Sequence, residues 1–546
     1  MGYSKNSIGF LAFLTKRRGI LLYLLFLNLI SNLAGAYIHH GLLPIVQMCL
    51  LSFFSAFLEY LFILITRPNL LRRFLFLNII LIHNVIIILD YFLILKFQNI
   101  ICQEIIEIIS ETNNVEISNF LNTYIHFHTI IIWLAFIISI NFLLYKIANS
   151  IVLHRFLLYF FLLISFMGLI FWCVMVYNYA LYRNGMNIPQ YHSVTRLTYS
   201  CLILNERKQE TISLRNVAKN YVAQSSNNPP NIVVIIGESA SIYHSQLYGY
   251  NKPTSPLLKK RFTNGEMAIF DDVVTTDDHT HGAMMSVFSL CSQNKSFKEK
   301  PLFPMCFKSA GYNTAIYDNQ YFVGGGINFL TDDYLSSIMF DYRNSTRYRF
   351  DGDMIVDSVN LDSPYLKIFH LWGQHYTYSE RYPEEFKHFK ASDYDKDKYS
   401  INQREIIAHY DNATLYNDFV INEIIKQNEN NDCCVIYFSD HGEEVFDFRD
   451  YMGHGNAAHS NNINYQIRVP LFIWVSEVYK KNRPKIVNMI FKNTKLPVST
   501  DDVPHLILNL ANIRCKDFDS TRSVINADYL IKHRIVLKSL DYDVLK

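Results

Sequence analysis

The chain changes character near residue 180. Before it, apolar residues run in long blocks with no polar face; after it, apolar runs are short and polar residues separate them. Five blocks approach the roughly 20 residues that a helix needs to cross a bilayer. They are Gly19–Tyr37, Leu42–Ile65, Phe74–Leu95, Ile130–Tyr145 and Phe156–Tyr177. The last reads FLLYFFLLISFMGLIFWCVMVY and carries no charge, whereas a helix lying on a water-soluble core keeps a polar face. Lys and Arg crowd alternate connections. Lys5, Lys16, Arg17 and Arg18 precede the first block, Arg67, Arg72 and Arg73 follow the second, and Lys146 and Arg155 follow the fourth. Residues 38–41 and 98–127 have no Lys or Arg. The positive-inside rule therefore predicts a cytoplasmic N-terminus and an exported C-terminal half. The alternative reading of Lys16-Arg17-Arg18, an apolar run and Ala34-Gly35-Ala36 as a cleavable signal leaves that half on the same side.

Within 98–127, Glu104, Glu107 and Glu111 recur at helical spacing opposite Ile101, Ile105, Ile108 and Ile109. This predicts an amphipathic helix at the outer interface, either a lid over the bundle or a lipid-entry surface. Residues 1–180 thus read as a membrane domain and 181–230 as a polar linker ending in Ser225-Ser226-Asn227-Asn228-Pro229-Pro230. Residues 231–546 read as one large α/β domain. Its apolar runs, Ile232–Ile236, Thr314–Tyr317, Tyr365–Phe369, Cys434–Phe438 and Val469–Val475, are short, rich in Val and Ile, and not alternating. Such runs suit strands buried on both faces, and helical segments between them predict a doubly wound sheet.

Composition adds two constraints. A formal charge of +2 over 546 residues gives no basic surface for nucleic acid. The nine cysteines include no CxxC pair, which excludes a cysteine zinc cluster. Cys433 and Cys434 lie in an apolar run and read as buried strand residues, while Cys291 and Cys306 are candidates for one exported disulfide.

The chemistry gathers at predicted strand ends, where open α/β sheets build their sites. NIVVIIGE puts Glu238 after one strand, CCVIYFSDHGEE puts Asp440 and His441 after another, and YLKIFHLWGQH puts His375 after a third. Carboxylates and imidazoles converging in this way suit Zn²⁺. In DDVVTTDDHTHGAMMSVFSL, Thr280 stands where a strand gives way to a helix. It is either an N-cap or, beside a metal, a nucleophile held at a helix N-terminus. Ser239 and Ser241 are the rival hydroxyls; they follow the proposed metal carboxylate too closely for comfortable in-line attack. His279 and His281 read as supporting or surface groups, His459 as a solvated loop residue, and Glu443 and Glu444 as groups that orient neighbours or cap a helix.

Five segments, in this order, carry a resemblance: GESASIYHSQLYGYNKPTSP, HTHGAMMSVFS, HLWGQH, YDNATLYNDFV and YFSDHGEEVFDFRDYMGHG. With the five preceding spans, they resemble the bacterial lipid-linked phosphoethanolamine transferases of the alkaline phosphatase/sulfatase superfamily. The resemblance implies a five-helix transmembrane domain followed by an alkaline-phosphatase-like periplasmic domain with a mixed, mostly parallel sheet, all at a bacterial inner membrane. It implies zinc held by Glu238, Asp440, His441 and Thr280, with Thr280 as the nucleophile. His375 and His454 would serve catalysis by facing the transferred group or a second zinc. Thr112 and Glu116 would contact the ethanolamine head group. The implied donor is phosphatidylethanolamine, the implied by-product diacylglycerol, and the implied acceptor a lipopolysaccharide or lipooligosaccharide. Two departures, Gly324 where lipid A-directed members carry a Lys and the lack of their several disulfides, favour a core heptose over lipid A. The alternatives are a phosphoglycerol transferase of the lipoteichoic acid synthase type and an inactive membrane scaffold. Sulfate-ester hydrolysis is not expected, because no Cys or Ser stands in a C/S-x-P-x-R context.

Overall fold

The computed structural model describes residues 18–545 apart from short internal stretches, the longer of them being 107–119, 183–191, 293–299 and 321–331. The chain forms two compact units, Met1–Glu206 and Arg207–Lys546.

The first unit contains five long apolar helices: α1 (Arg18–Ile38), α2 (Leu42–Ile65), α3 (Asn69–Phe97), α4 (Phe127–Ser150) and α5 (Arg155–Tyr182). All five are long and apolar enough to cross a membrane. The third begins five residues before the apolar block does, because the charges of Arg72 and Arg73 end a membrane span without ending a helix. Leu and Ile cover their outer faces, while polar groups join their inner faces. His83 of α3 bonds Glu59 of α2 and Ser31 of α1, both at 2.9 Å. Asn28 of α1 also donates to Glu59, at 2.9 Å. In hydrocarbon such groups need partners within the bundle, and here they supply them to one another. The predicted helix at 98–127 lies largely outside the described residues, as do Thr112 and Glu116.

The expected linker holds a long helix, α6 (Ser193–Ala218). Its sequence from Leu202 to Leu214, LILNERKQETISL, is rich in good helix formers, and polarity alone does not make a connector irregular.

The second unit is built on a seven-stranded sheet. Its strands are β1 (Asn231–Gly237), β2 (Met267–Phe270), β3 (Asn313–Asp318), β4 (Tyr342–Arg343), β5 (Tyr365–His370), β6 (Cys433–Ser439) and β7 (Leu471–Val475), in the order β2-β7-β6-β1-β5-β3-β4. Only β7 runs against its neighbours. Side chains of central strand β1 divide by parity. Ile232, Val234 and Ile236 enter one core, and Val233 and Ile235 the other, so a strand without polar alternation belongs in the middle of the sheet. Cys433 and Cys434 of β6 divide in the same way, and both are fully buried. The pairing considered for Cys291 and Cys306 is not made: neither residue is in a disulfide. Cys291 follows the Ser289–Leu302 bridge, whereas Cys306 sits on the next helix, where its thiol donates to the Leu302 carbonyl at 4.0 Å.

Candidate metal and nucleophile site

Parallel strands β5, β1 and β6 end side by side, and their C-terminal exits bring distant residues together. Glu238 leaves β1, and Asp440 and His441 leave β6; all three are fully buried. The exits are tied to one another, since Asp440 N–H donates to Gly237 O at 3.1 Å. The Ser239 N–H donates to Asp440 Oδ1 at 3.1 Å. Ser239 itself has φ of 57°, an uncommon conformation for a residue other than glycine, adopted as the chain turns sharply off the strand.

Thr280 is the first residue of α7 (Thr280–Phe288), and the cap position belongs to His279. The Thr280 hydroxyl therefore does not cap its own helix. It lies 3.3 Å from Glu238 Oε2 and 3.2 Å from His441 Nε2. His441 Nδ1 faces the Gly442 carbonyl at 3.0 Å, which keeps a proton on that nitrogen and leaves Nε2 as the atom turned toward Thr280. His441 Nε2 is also 3.4 Å from Glu238 Oε1 and 3.3 Å from Asp440 Oδ2.

His454 completes the cluster from a loop. Its Nδ1 bonds Glu443 Oε2 at 2.7 Å, and Glu443 is held in turn by the Tyr378 hydroxyl. Ligand atoms of Glu238, His441 and His454 all lie within 4.8 Å of one another. His375, half-buried on the loop after β5, is close enough to act on Glu238 electrostatically. The four residues read as metal ligands are thus neighbours, with His454 beside them and His375 at the edge. His459 and Gly324 lie outside the described residues. His279 is engaged by Asp278 at 2.7 Å.

The electrostatics of this cluster suit a cation. Burial pushes the Glu238 carboxyl up, but the imidazoles of His441, His375 and His454 outweigh it and hold the group well below the usual carboxylate range. Burial and the Glu238 carboxylate push Asp440 well above that range. Two buried carboxylates this close cannot both ionise cheaply unless a positive charge joins them. Asp440 Oδ2 is buried with no hydrogen-bond partner, a costly state for a carboxylate oxygen. Two carboxylates, an imidazole whose Nε2 faces them and a hydroxyl form a donor set that fits zinc.

Three supporting residues escaped the sequence reading. Gln320 Nε2 donates to Glu238 Oε2 at 3.0 Å and to the Leu371 carbonyl at 2.7 Å, holding the carboxylate in place. Asp351 accepts from the Trp372 and Gly373 N–H groups, each at 2.9 Å, and so fixes the loop that carries His375. Gly373 has φ of +47°, and a Cβ there would lie 2.8 Å from the Glu238 carbonyl oxygen; HLWGQH needs its glycine for this approach. Of the rival hydroxyls, Ser239 donates to Glu238 Oε1 at 2.7 Å inside the site, whereas Ser241 accepts from the Tyr243 N–H as a local cap.

Known proteins resemble this chain in sequence and fold. The chain is 27% identical over 332 residues to phosphoethanolamine transferase EptC of Escherichia coli K12, covering 57% of this chain and 56% of that one. The chain therefore spans about half the length of the curated relatives it matches. The zinc complex of the C-terminal periplasmic domain of EptC from Escherichia coli is 26% identical, with a TM-score of 0.53, and the match covers 59% of this chain and 96% of that domain. The integral membrane lipooligosaccharide phosphoethanolamine transferase A of Neisseria meningitidis shares the fold over 92% of this chain and 97% of its own, with a TM-score of 0.59 at 17% identity. The sulfatase family model matches residues 230–513, just over half of the chain, and with the strand-end site described above it shows that this protein belongs to the sulfatase family.

Proposed function

We propose that this protein transfers phosphoethanolamine from phosphatidylethanolamine to a lipopolysaccharide or lipooligosaccharide through a covalent Thr280 intermediate, releasing diacylglycerol. The observation that carries this reading is the Thr280 hydroxyl, within 3.3 Å of both Glu238 and His441 at a helix N-terminus. The similarity to proteins named phosphoethanolamine transferases supports the choice of group. Glu238, Asp440, His441 and the Thr280 oxygen would hold a zinc ion. Bound there, it lowers the pKa of the hydroxyl and neutralises charge on the phosphoryl oxygens.

The chain's own groups do the rest. Thr280 Oγ1 attacks phosphorus, its proton passes to water at the half-buried hydroxyl, and the diacylglycerol oxygen departs in line. The free N–H groups of the first turn of α7 face the phosphoryl oxygens. His454, oriented by Glu443, and His375 at the rim are placed to protonate the leaving oxygen and then to deprotonate the acceptor hydroxyl. The same histidines offer nitrogen ligands for a second zinc. Thr112 and Glu116 are assigned to the ethanolamine group on the resemblance alone. A core heptose is the preferred acceptor on the sequence departures already described. The spans would hold the catalytic domain at the outer face of the inner membrane, with the N-terminus in the cytoplasm, and keep it at the lipid surface.

The test is reconstitution of the full chain with head-group-labelled phosphatidylethanolamine and purified lipopolysaccharide. Label should pass to the polysaccharide with stoichiometric release of diacylglycerol, and fragmentation should place it on heptose. Label that passes to no acceptor, or transfer of glycerol phosphate from phosphatidylglycerol instead, overturns the assignment.

A further inference from the structure

The segment that delivers the nucleophile is bonded to the loop that carries His454. Asp278 is buried two residues before Thr280. Its Oδ2 accepts the Ala457 N–H at 2.7 Å, and its Oδ1 lies 2.7 Å from His279 Nδ1. Its backbone carbonyl accepts the Gly455 N–H at 3.1 Å. One residue of the nucleophile segment therefore holds two positions immediately after His454.

A packing contact closes the same junction. Gly455 has φ of +75°, and a Cβ there would stand 2.8 Å from His279 Nε2. The His279 ring thus lies against the Gly455 backbone, in a space that only glycine leaves open. Ala457 is fully buried in an apolar cluster with Val274, on the short strand that leads toward Thr280. On its other side the His454 imidazole is held by Glu443 at Nδ1. Its ring centroid is 4.0 Å from that of His441, whose Nε2 lies 3.2 Å from Thr280 Oγ1.

We propose that Asp278 and His279 are positioning residues that clamp the His454 loop to the start of α7, so that one bonded unit sets the distance between the nucleophile and the group that handles protons. The inference rests on the function proposed above, in which Thr280 attacks and His454 protonates the leaving oxygen. Glu443 orients the imidazole, and the Asp278 clamp fixes where its backbone stands. A proton donor works only within hydrogen-bond reach of the leaving oxygen, and a misplacement of about 1 Å can cost on the order of 10²-fold in rate. Loosening the clamp slows the step that needs His454 more than one that does not.

The choice of donor separates the two. Phosphatidylethanolamine releases an alkoxide oxygen, which takes up a proton as its bond to phosphorus breaks. 4-Nitrophenyl phosphoethanolamine releases a stable phenolate, which departs without one. The full chain in detergent is given each donor without acceptor, and the single-turnover release of diacylglycerol or nitrophenolate is timed. Asp278→Asn keeps the side-chain shape and one acceptor oxygen but cannot accept at both. Its loss of rate on the lipid donor should exceed its loss on the nitrophenyl donor by about 10–100-fold. Gly455→Ala presses on the clamp from the opposite side and should show the same selectivity; it carries the test if Asp278→Asn does not fold. Zinc content and unfolding midpoint are measured for each variant. Equal losses on the two donors, or no loss on either, overturn the clamp whatever the zinc content. Wild-type protein that releases product from neither donor, or Thr280→Ala protein that releases it at the wild-type rate, overturns the proposed function instead.

Discussion

Replacing Gly373 with alanine attacks the site without touching a reacting group. The residue has φ of +47°, a conformation that costs an L-residue about 1–2 kcal/mol. The new Cβ would stand 2.8 Å from the Glu238 carbonyl oxygen and 3.0 Å from the Glu238 nitrogen. Neither is the end of a flexible side chain, so backbone must move, and overpacking of this kind adds roughly 1–3 kcal/mol. The sum, about 2–5 kcal/mol, would lower the midpoint of unfolding by on the order of 5–10 °C. Movement of the Glu238 backbone also displaces its carboxylate, so zinc should bind about 10–100-fold more weakly, the usual penalty for disturbing a ligand's support. Thermal unfolding of the detergent-solubilised protein and a competitive zinc titration measure both. A Gly373→Ala protein with wild-type midpoint and wild-type zinc affinity would refute the close approach and, with it, the account of how Glu238 is held.

Other changes probe separate parts of the site. Thr280→Ala should lower transfer by at least ~10³-fold while the unfolding midpoint stays within about 1–2 °C, since the side chain is a nucleophile and not a cap; equal transfer by the variant would move the nucleophile elsewhere. Glu443→Gln should leave zinc content intact and slow transfer about 10–100-fold, because His454 loses the carboxylate that orients it; an unchanged rate would remove His454 from the mechanism. Stability should also fall in alkali. Burial disfavours charge on His244, yet Asp411 and Asp447 override it and raise the imidazole to about 10. A raised pKa contributes stability fully below the unfolded value near 6.5 and loses it as pH climbs through about 10, with an amplitude on the order of a few kcal/mol. His244→Gln should flatten that slope in pH-dependent urea titrations; an equally steep slope in the variant would assign the alkaline loss to other groups.

Much of this architecture was readable in the chain because its carriers are local. A span needs only a run of apolar residues, and all five appear within a few residues of their expected ends. A buried central strand needs only a short Val/Ile run, and Ile232–Ile236 and Cys434–Phe438 became adjacent strands. Once those strands are neighbours, Glu238, Asp440 and His441 have to meet at their ends. What stayed hidden depends on contacts between distant segments. Nothing near Gln320 announces that its amide reaches Glu238, and nothing in HLWGQH says that Gly373 packs against the same residue. From the local sequence Thr280 read as a cap, because the cap and first-turn positions differ by one residue and only the long-range partners of its hydroxyl separate the two.

The central claim, that the Thr280 oxygen carries the transferred group, is open to one direct measurement. The full-length protein is incubated with phosphatidylethanolamine in the absence of acceptor, quenched in acid, digested and sequenced by mass spectrometry. A phosphoethanolamine adduct on Thr280, missing from the Thr280→Ala protein and discharged on addition of lipopolysaccharide, is the predicted result. An adduct on Ser239, or transfer that proceeds with no adduct on the protein at all, would contradict it.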